Sequence, residues 1–406
     1  MANNFSKDFI KALPKTDIHC HLDGSLRIST LIEIAKENKI LLPSNTEQGL
    51  KDLVFKENYK DLNEYLQGFQ YTTAVMQTPE GIERVSYELA FDAFNEGVYY
   101  IEPRFAPQRH VNASMSIIDT LASVAKGFDR AKKEINQKPE IKSGEKPPFE
   151  YGIIGCALRM FTEEYSPYYR NLFNMHPDMP DNERFVIASL DLVRAIIKAR
   201  DELGIPIVGI DLAGAEKGYP AEIHKQAYDV AHKNFLKKTV HAGEAYGPAS
   251  IFQAITDCHA DRIGHGTHLF NDNLVELPSA HARKRYVQAL SQYIADRRVT
   301  IETCLTSNMQ TTPSMKKLSQ HPFKQMLEGR LSTTFCTDNR LISRTTVTNE
   351  IELALKNFDI SPNRLKNIII YGFKRSFYPG NYLEKRKYMR KIIDYYESVE
   401  KNFLEN

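Results

Sequence analysis

Eight short apolar runs, separated by longer segments of helical periodicity, are the feature that most restricts how this chain can fold. The runs are rich in Ile, Val and Tyr, and the segments between them repeat apolar residues at helical spacing. Such alternation is typical of parallel strands joined by crossover helices, and eight units predict an α/β fold, a (β/α)8 TIM barrel. The runs cover approximately residues 15–22, 98–106, 151–158, 207–214, 238–244, 262–268, 300–308 and 332–339.

The chain is long enough for one elaborated barrel. Its 406 residues are 42% hydrophobic, so we predict a single domain over residues 1–406. The interval 23–97 is long and helical, which predicts a helical insertion after the first strand. Within it Leu62, Tyr65 and Phe69 recur at helical spacing. This stripe could cover the mouth of the barrel, or it could be part of the core.

Composition narrows the classes of partner. The formal net charge is +2, from 53 basic and 51 acidic residues that are interspersed, which argues against nucleic acid and membrane partners. The five cysteines are scattered and odd in number, unlike a secreted disulfide framework, so we expect a cytoplasmic protein. Residues 382–402 are strongly charged and predict an extra C-terminal helix with a solvated face. The oligomeric state is left open.

Two histidines, His19 and His21, lie two residues apart in the first run. Side chains at i and i+2 of a strand leave on the same face. Two imidazoles at the end of a strand, just before a glycine-containing turn, suit a metal such as zinc. Taken alone, the pair could equally be buried histidines that bond to each other or to the core.

Further polar residues follow three other runs. His241 and Glu244 end the fifth run, His265 stands between two glycines in the sixth, and Asp338 ends the eighth. The carboxyl ends of barrel strands form a single rim, and strand eight lies beside strand one, so Asp338 can approach the histidine pair. Alternatively, residues 241–244 at the end of the fifth run form a simple turn, and His265 is a capping or packing residue.

Together these motifs resemble those of the adenosine deaminase family, within the amidohydrolase superfamily. They occur in the family's order and extend over nearly the whole chain. The matching strings are TDIHCHLDGS at 16–25, DLAG at 211–214, HAGE at 241–244, GHG at 264–266 and TD at 337–338.

The resemblance implies one catalytic Zn²⁺ per chain, with a water at the remaining position. Its ligands would be His19, His21, His241 and Asp338. Superfamily members with two metals generally carry a bridging lysine after strand four, and residues 210–214 contain none. A single metal is therefore expected.

The resemblance also implies catalytic roles. Glu244 would donate a proton to N1 of the purine, which requires a raised pKa. His265 would orient the attacking water and help to deprotonate it. Asp338 would bind zinc and accept a hydrogen bond from the same water.

The activity implied is the hydrolytic deamination of adenosine and 2′-deoxyadenosine to inosine and deoxyinosine, a reaction of purine salvage. Asp23 would lie near the 5′ end of the sugar, where a carboxylate accepts a hydroxyl and repels a phosphate. This favours a nucleoside over a nucleotide. Asp23 could instead cap the following helix.

Two positions depart from the family pattern. Asn339 replaces a common second aspartate that contacts purine N7, and an amide can donate there directly. Tyr65 stands where an apolar aromatic often lines the ribose side, which could change the preferred sugar. The full set of expected substrate contacts is His21, Asp23, Leu62, Tyr65, Phe69, Gly214, through its backbone N–H at N3, and Asn339.

Two other functions stay open. One is deamination of another 6-aminopurine, such as adenine, a modified adenine nucleoside or aminodeoxyfutalosine. The other is a catalytically silent binding protein on the same fold, which would be expected to lose Glu244, His265 or a metal ligand. All of these residues are present.

Overall fold

Eight parallel strands form a ring at the centre of the computed structural model, which describes residues 5–404. They confirm the predicted (β/α)8 barrel. The strands are β1 Lys15–His21, β2 Val98–Phe105, β3 Ile153–Leu158, β4 Ile207–Ala213, β5 Lys237–Ala242, β6 Arg262–His265, β7 Thr300–Thr303 and β8 Thr333–Phe335, and a two-residue strand, Glu150–Tyr151, pairs with β2.

The strands pair in chain order from β1 to β8. The ring closes through a parallel bridge between Cys20 and Asp338. The His21 N–H donates to the carbonyl of Asp338 at 2.6 Å, and the Asp338 N–H donates to the carbonyl of His19 at 2.8 Å. Closure of the barrel therefore places Asp338 directly beside the histidine pair.

Helices surround the ring. Several begin at a side-chain cap, as at Ser116, where Asp119 completes a capping box before a strongly amphipathic segment. The α-helices are α1 Lys7–Ala12, α2 Ile28–Glu37, α3 Glu47–Leu53, α4 Leu62–Leu66, α5 Phe69–Ala74, α6 Pro79–Asn95, α7 Ile117–Ile135, α8 Pro139–Lys142, α9 Pro167–Met175, α10 Asp181–Leu203, α11 Lys225–Lys233, α12 Pro248–Thr256, α13 Ala280–Arg297, α14 Leu305–Thr311, α15 Phe323–Glu328, α16 Val347–Asn357, α17 Pro362–Arg375 and α18 Tyr382–Leu404. Short 3-10 turns cover Leu22–Gly24, Pro107–Arg109, Ala221–His224, Asp272–Leu274 and Leu318–Gln320.

The predicted helical insertion after the first strand is confirmed, because α2 to α6 all lie between β1 and β2. Tyr65 and Phe69, from α4 and α5, are buried and face the mouth of the barrel. The predicted C-terminal helix is also present as α18, whose Tyr388 hydroxyl donates to the carbonyl of Tyr99 at 2.8 Å. Of the two interpretations of the stripe of Leu62, Tyr65 and Phe69, a cover over the barrel mouth or a part of the core, the structure supports the cover.

The apolar runs overestimate the strands at their carboxyl ends. The run 300–308 is a strand only to Thr303, and α14 begins at Leu305. Likewise β8 ends at Phe335, and Asp338 takes a left-handed backbone with φ +60°. These residues follow the strands and are mostly buried at the barrel mouth, where Asp338 still pairs with β1 through its bridge to Cys20.

The single domain over residues 1–406 stays a prediction, and residues 1–4 and 405–406 lie outside the described residues. Between residues 5 and 404, the structure contains no helix with both the length and the apolar character needed to cross a membrane.

Candidate active site

The carboxyl ends of the strands open into one cavity of about 760 Å³. His19 is completely buried behind this cavity, with its ring centroid 4.5 Å from that of His241. The other predicted site residues all line the cavity: His21, Asp23, Leu62, Tyr65, Phe69, Gly214, His241, Glu244, His265, Asp338 and Asn339. The structure therefore brings the whole predicted set to one place.

The four predicted metal ligands present their atoms to one another. The Nε2 atoms of His21 and His241 are 3.1 Å apart, and Asp338 Oδ1 lies 3.4 Å from Nε2 of both His19 and His21. Ligand atoms of a tetrahedral zinc site lie roughly 3.3 Å apart, because the bonds are about 2.0–2.1 Å. Nε2 of His19 is buried without a hydrogen-bond partner. A further group is needed to satisfy this atom, and these residues fit a metal ion.

Two of the candidate metal ligands, His19 and His241, each contact a buried carboxylate, which determines which ring nitrogen faces the other candidate ligands. His19 Nδ1 lies 2.8 Å from Glu302 Oε2, and His241 Nδ1 lies 3.0 Å from Asp211 Oδ2. Each Nδ1–H donates to its carboxylate, which leaves the Nε2 lone pair for a metal. Arg104 forms ion pairs with both carboxylates, at 2.9 and 3.0 Å. Burial alone would raise the pKa of Asp211. The neighbouring His241 and Arg104 nevertheless hold this pKa well below its usual range.

Sequence reasoning missed this charged floor of the site. Asp211 is part of a quoted motif, but it has no predicted role, and Glu302 is not singled out at all. Arg262 pairs with Glu102 and, at 2.6 Å, with Glu302, so the fully buried charges form one network with Arg104. The available signal is the presence of charged residues inside otherwise apolar strands, because such residues are rarely buried unless they are paired.

A chain of hydrogen bonds defines the tautomer of His265. The Phe323 N–H donates to His321 Nδ1 at 3.1 Å, so His321 Nε2–H must be the donor to Asn308 Oδ1, also at 3.1 Å. The amide of Asn308 then donates to His265 Nδ1 at 2.9 Å. His265 therefore carries its hydrogen on Nε2, which lies 3.7 Å from the Glu244 carboxylate.

His265 also lies close to the candidate metal ligands. It has a ring nitrogen within 4.8 Å of ligand atoms of His19, His241 and Asp338. In the tautomer set by Asn308, neither ring nitrogen of His265 has a free lone pair, and burial lowers its pKa well below the usual range. The neutral ring is therefore suited to donate a hydrogen bond from Nε2 rather than to bind a metal.

Glu244 is buried at the cavity wall. Burial, together with the negative charge of Asp338, raises the pKa of Glu244 to about 8. The carboxyl group is therefore mostly protonated at neutral pH, which agrees with the direction predicted from its implied role.

The short helix α14 supplies neighbours to three of these groups. The Ser307 hydroxyl donates to Asp338 Oδ2 at 2.5 Å, Asn308 contacts His265, and Thr311 lines the cavity beside Glu244. Positions i, i+1 and i+4 lie on one side of a helix. Sequence reasoning missed these contacts because it assigned part of this segment to a strand.

The two departures from the family pattern contact each other. The amide of Asn339 donates to the Tyr65 hydroxyl at 2.8 Å, and the same hydroxyl lies 2.7 Å from Ser343 Oγ. Tyr65 also donates to Asp338 Oδ2 at 3.4 Å. One N–H of Asn339 is therefore used within the protein, and the second is left for a ligand.

Asp23 has the character of a ligand-binding carboxylate. It is 3% exposed, its Oδ1 is buried without a hydrogen-bond partner, and burial raises its pKa to about 6 against the charge of Arg109. Helix α2 begins at Ile28, with Arg27 at its N-cap and no side-chain cap. The alternative role of Asp23 as a cap for this helix is therefore wrong.

This chain is similar in sequence and in fold to known proteins. The family model described as adenosine deaminase matches residues 14–176 and 183–395. An adenosine deaminase from Vibrio atlanticus (strain LGP32) is 34% identical over 372 residues, which are 91% of this chain and 95% of that protein. Two solved structures share the fold. Adenine deaminase from Arthrobacter aurescens has a TM-score of 0.74 at 20% identity, covering 95% of this chain and 99% of its own. An amidohydrolase from Burkhoderia ambifaria with bound Zn has a TM-score of 0.76 at 17% identity, covering 100% and 96%.

Proposed function

Because this chain belongs to the adenosine deaminase family, we propose that it hydrolyses adenosine and 2′-deoxyadenosine to inosine, deoxyinosine and ammonia. The observation that carries the choice of a nucleoside is Asp23, a buried carboxylate with an unpartnered oxygen in the cavity wall. It can accept a hydrogen bond from a sugar hydroxyl, whereas a phosphate would meet a like charge.

One Zn²⁺ is the cofactor that we propose, held by His19, His21, His241 and Asp338. When bound, zinc supplies a Lewis acid that lowers the pKa of a water to near 7. The unpartnered Nε2 of His19 and the carboxylates behind two of the histidines support this assignment.

Glu244 is the proposed general acid. Its proton goes to N1 of the purine as the water oxygen adds to C6. Of the two protons of the water, one passes to the 6-amino group, which leaves as ammonia when the C6–N bond breaks, and the other restores the Glu244 carboxyl group. A carboxyl group with a pKa of about 8 holds this proton at neutral pH.

His265 and Asp338 are the groups proposed to orient the attacking water. Nε2–H of His265 donates, in the tautomer that Asn308 imposes, and Asp338 accepts. A role for His265 in deprotonation stays a prediction, and the hydrogen-bond chain favours the role of donor.

The proposed substrate contacts lie around the same cavity. Gly214, with φ +94°, turns the chain at the end of β4, and its backbone N–H is the proposed partner of purine N3. The second N–H of Asn339 is the proposed donor to N7. Leu62 and Phe69 form the apolar wall of the sugar side, and Tyr65 holds Asn339.

We expect this chemistry in the cytoplasm, with a small purine nucleoside as the partner. All five cysteines are buried free thiols, which supports a reducing compartment.

A substrate panel tests the proposal. The purified protein is mixed with adenosine, deoxyadenosine, AMP and adenine, and loss of the 6-amino group is followed by ultraviolet absorbance before and after chelation. We expect the two nucleosides to react, and activity to disappear on chelation and return with Zn²⁺. Preference for adenine, activity on none of the four, or activity indifferent to metal removal would overturn it.

AMP is the informative competitor, because Arg109 lines the cavity beside Asp23 and could attract a phosphate. The variant Asp23→Asn removes the negative charge. We expect it to lower the rate with adenosine and to raise the ratio of AMP to adenosine turnover.

A further inference from the structure

Glu216 is a cavity-wall carboxylate to which the proposed chemistry gives no role. It is 3% exposed, and its two oxygens accept five hydrogen bonds. Oε1 accepts from the Gly243 N–H at 2.7 Å and from the Ser250 hydroxyl at 2.5 Å. Oε2 accepts from the backbone N–H groups of residues 244, 245 and 246 at 3.0, 2.7 and 3.0 Å.

Four consecutive backbone N–H groups thus converge on one carboxylate. They belong to the loop after β5, which enters α12 at Pro248. In this loop Gly243 has φ +71°, a left-handed conformation that turns successive N–H groups towards the same side. With its acceptor positions in use, Glu216 is suited to hold this loop rather than to bind a ligand.

The loop that Glu216 holds carries Glu244, and Glu216 itself follows Gly214 by two residues. The carboxylate therefore connects the loop after β4 to the loop after β5. In the proposed complex, these two loops contact N3 and N1 of the same six-membered ring. Because the ring is rigid, the Glu244 carboxyl group and the Gly214 N–H must stay at a constant distance from each other to bind it.

We propose that Glu216 is a positioning residue, which sets Glu244 at the correct distance from the Gly214 backbone by binding four successive N–H groups. The proposal rests on the proposed deamination. Loss of Glu216 should reduce proton transfer more than substrate binding, because Gly214 and Asp23 lie outside the loop it holds.

The variant Glu216→Gln tests this role. The amide nitrogen of glutamine cannot accept, and only the Ser250 hydroxyl could turn to accept from it, so whichever oxygen it replaces, at least one backbone N–H loses its acceptor. We expect kcat for adenosine to fall about 10- to 100-fold, less than the loss of the acid itself would cause, with KM and zinc content little changed. Hydrogen exchange of the amides at 243–246 should become faster. Glu222→Gln is the matched control, because Glu222 is exposed in the short turn that precedes α11, where its carboxylate accepts from the Gln253 amide at 3.1 Å.

The outcomes separate the two proposals. If the wild-type protein deaminates none of the purines, the proposed function fails, while amide exchange still reports whether Glu216 holds the loop. A Glu216→Gln protein with wild-type kcat, or with unchanged exchange at 243–246, overturns the positioning role. If that variant does not fold, Ser250→Ala decides, since it removes one hydrogen bond at a partly exposed position. We expect it to lower kcat about fivefold and to speed exchange of the Gly243 amide, and no change in either would overturn the role.

Discussion

Replacing Gly24 by alanine tests whether Asn339 helps to bind the substrate. A Cβ atom at residue 24 would lie 1.9 Å from Asn339 Oδ1 and 2.7 Å from its Cγ. Ordinary contact begins at 3.4 Å, so the amide oxygen must move by about 1.5 Å. Asn339 is 2% exposed and donates to Tyr65 at 2.8 Å. A displacement of this size breaks that hydrogen bond and turns the second N–H of Asn339 away from the cavity.

The magnitude follows from the displacement. Misplacement of a substrate-orienting group by about 1 Å can lower the rate about 100-fold, and we expect a loss of this order in kcat/KM for adenosine. Overpacking should also lower the free energy of unfolding by about 1–3 kcal/mol. Zinc content should stay at the wild-type level, because the clash is with Asn339 and not with a proposed metal ligand.

The assay is a double-mutant cycle. Steady-state kinetics with adenosine, metal analysis and thermal unfolding are measured for Gly24→Ala, Asn339→Ala and the double variant. If Gly24→Ala lowers kcat/KM by displacing Asn339, it should cause little further loss of kcat/KM when Asn339 is already alanine. Gly68→Ala is the control on the same wall, since its Cβ would lie 3.4 Å from Ile342 and its φ is −55°. Wild-type kinetics for Gly24→Ala, or additive losses in the double variant, would refute the reasoning.

Three further predictions follow from the same geometry. Glu244→Gln should keep zinc and lose about 10²- to 10⁴-fold in turnover, measured by kinetics with metal analysis; unchanged turnover would remove Glu244 from the mechanism. His321→Phe should free Asn308 to rotate and lower kcat about fivefold, with loss of the pure Nε2–H tautomer of His265 in nitrogen NMR; an unchanged tautomer would contradict the hydrogen-bond chain. Burial raises the pKa of Glu350 to about 7, above an unfolded value of about 4.3, so the folded state disfavours its ionised form. The free energy of unfolding, measured in urea, should therefore fall as pH rises from about 4.5 to 7, and Glu350→Gln should reduce that fall; an equal fall in both proteins would show that this carboxyl is not its source.

The fold and the residues around the candidate metal could be predicted because both leave local signals. Each strand is a short apolar run, and the histidine pair follows from a two-residue period. The limits of the strands could not be predicted in the same way. Residues 304–308 are as apolar as the strand before them, yet they form a helix whose first turn donates the Thr306 N–H to the buried Glu350 carboxylate at 3.1 Å. The sequence correctly predicted that this segment is buried. It could not predict a helix there, because Glu350, the hydrogen-bond partner of Thr306, is 44 residues away.

By itself the sequence determined the barrel and predicted the four candidate ligands, the proposed acid Glu244 and the carboxylate Asp23, since strand periods and short motifs are properties of neighbouring residues. Only the tertiary structure decided what holds these groups in place. Glu302 reaches His19 across 283 positions, and Glu216 gathers the N–H groups of a loop about 30 positions away. Hydrogen bonds and ion pairs act through space over about 3 Å, so such partners exist only after the ring of strands has closed.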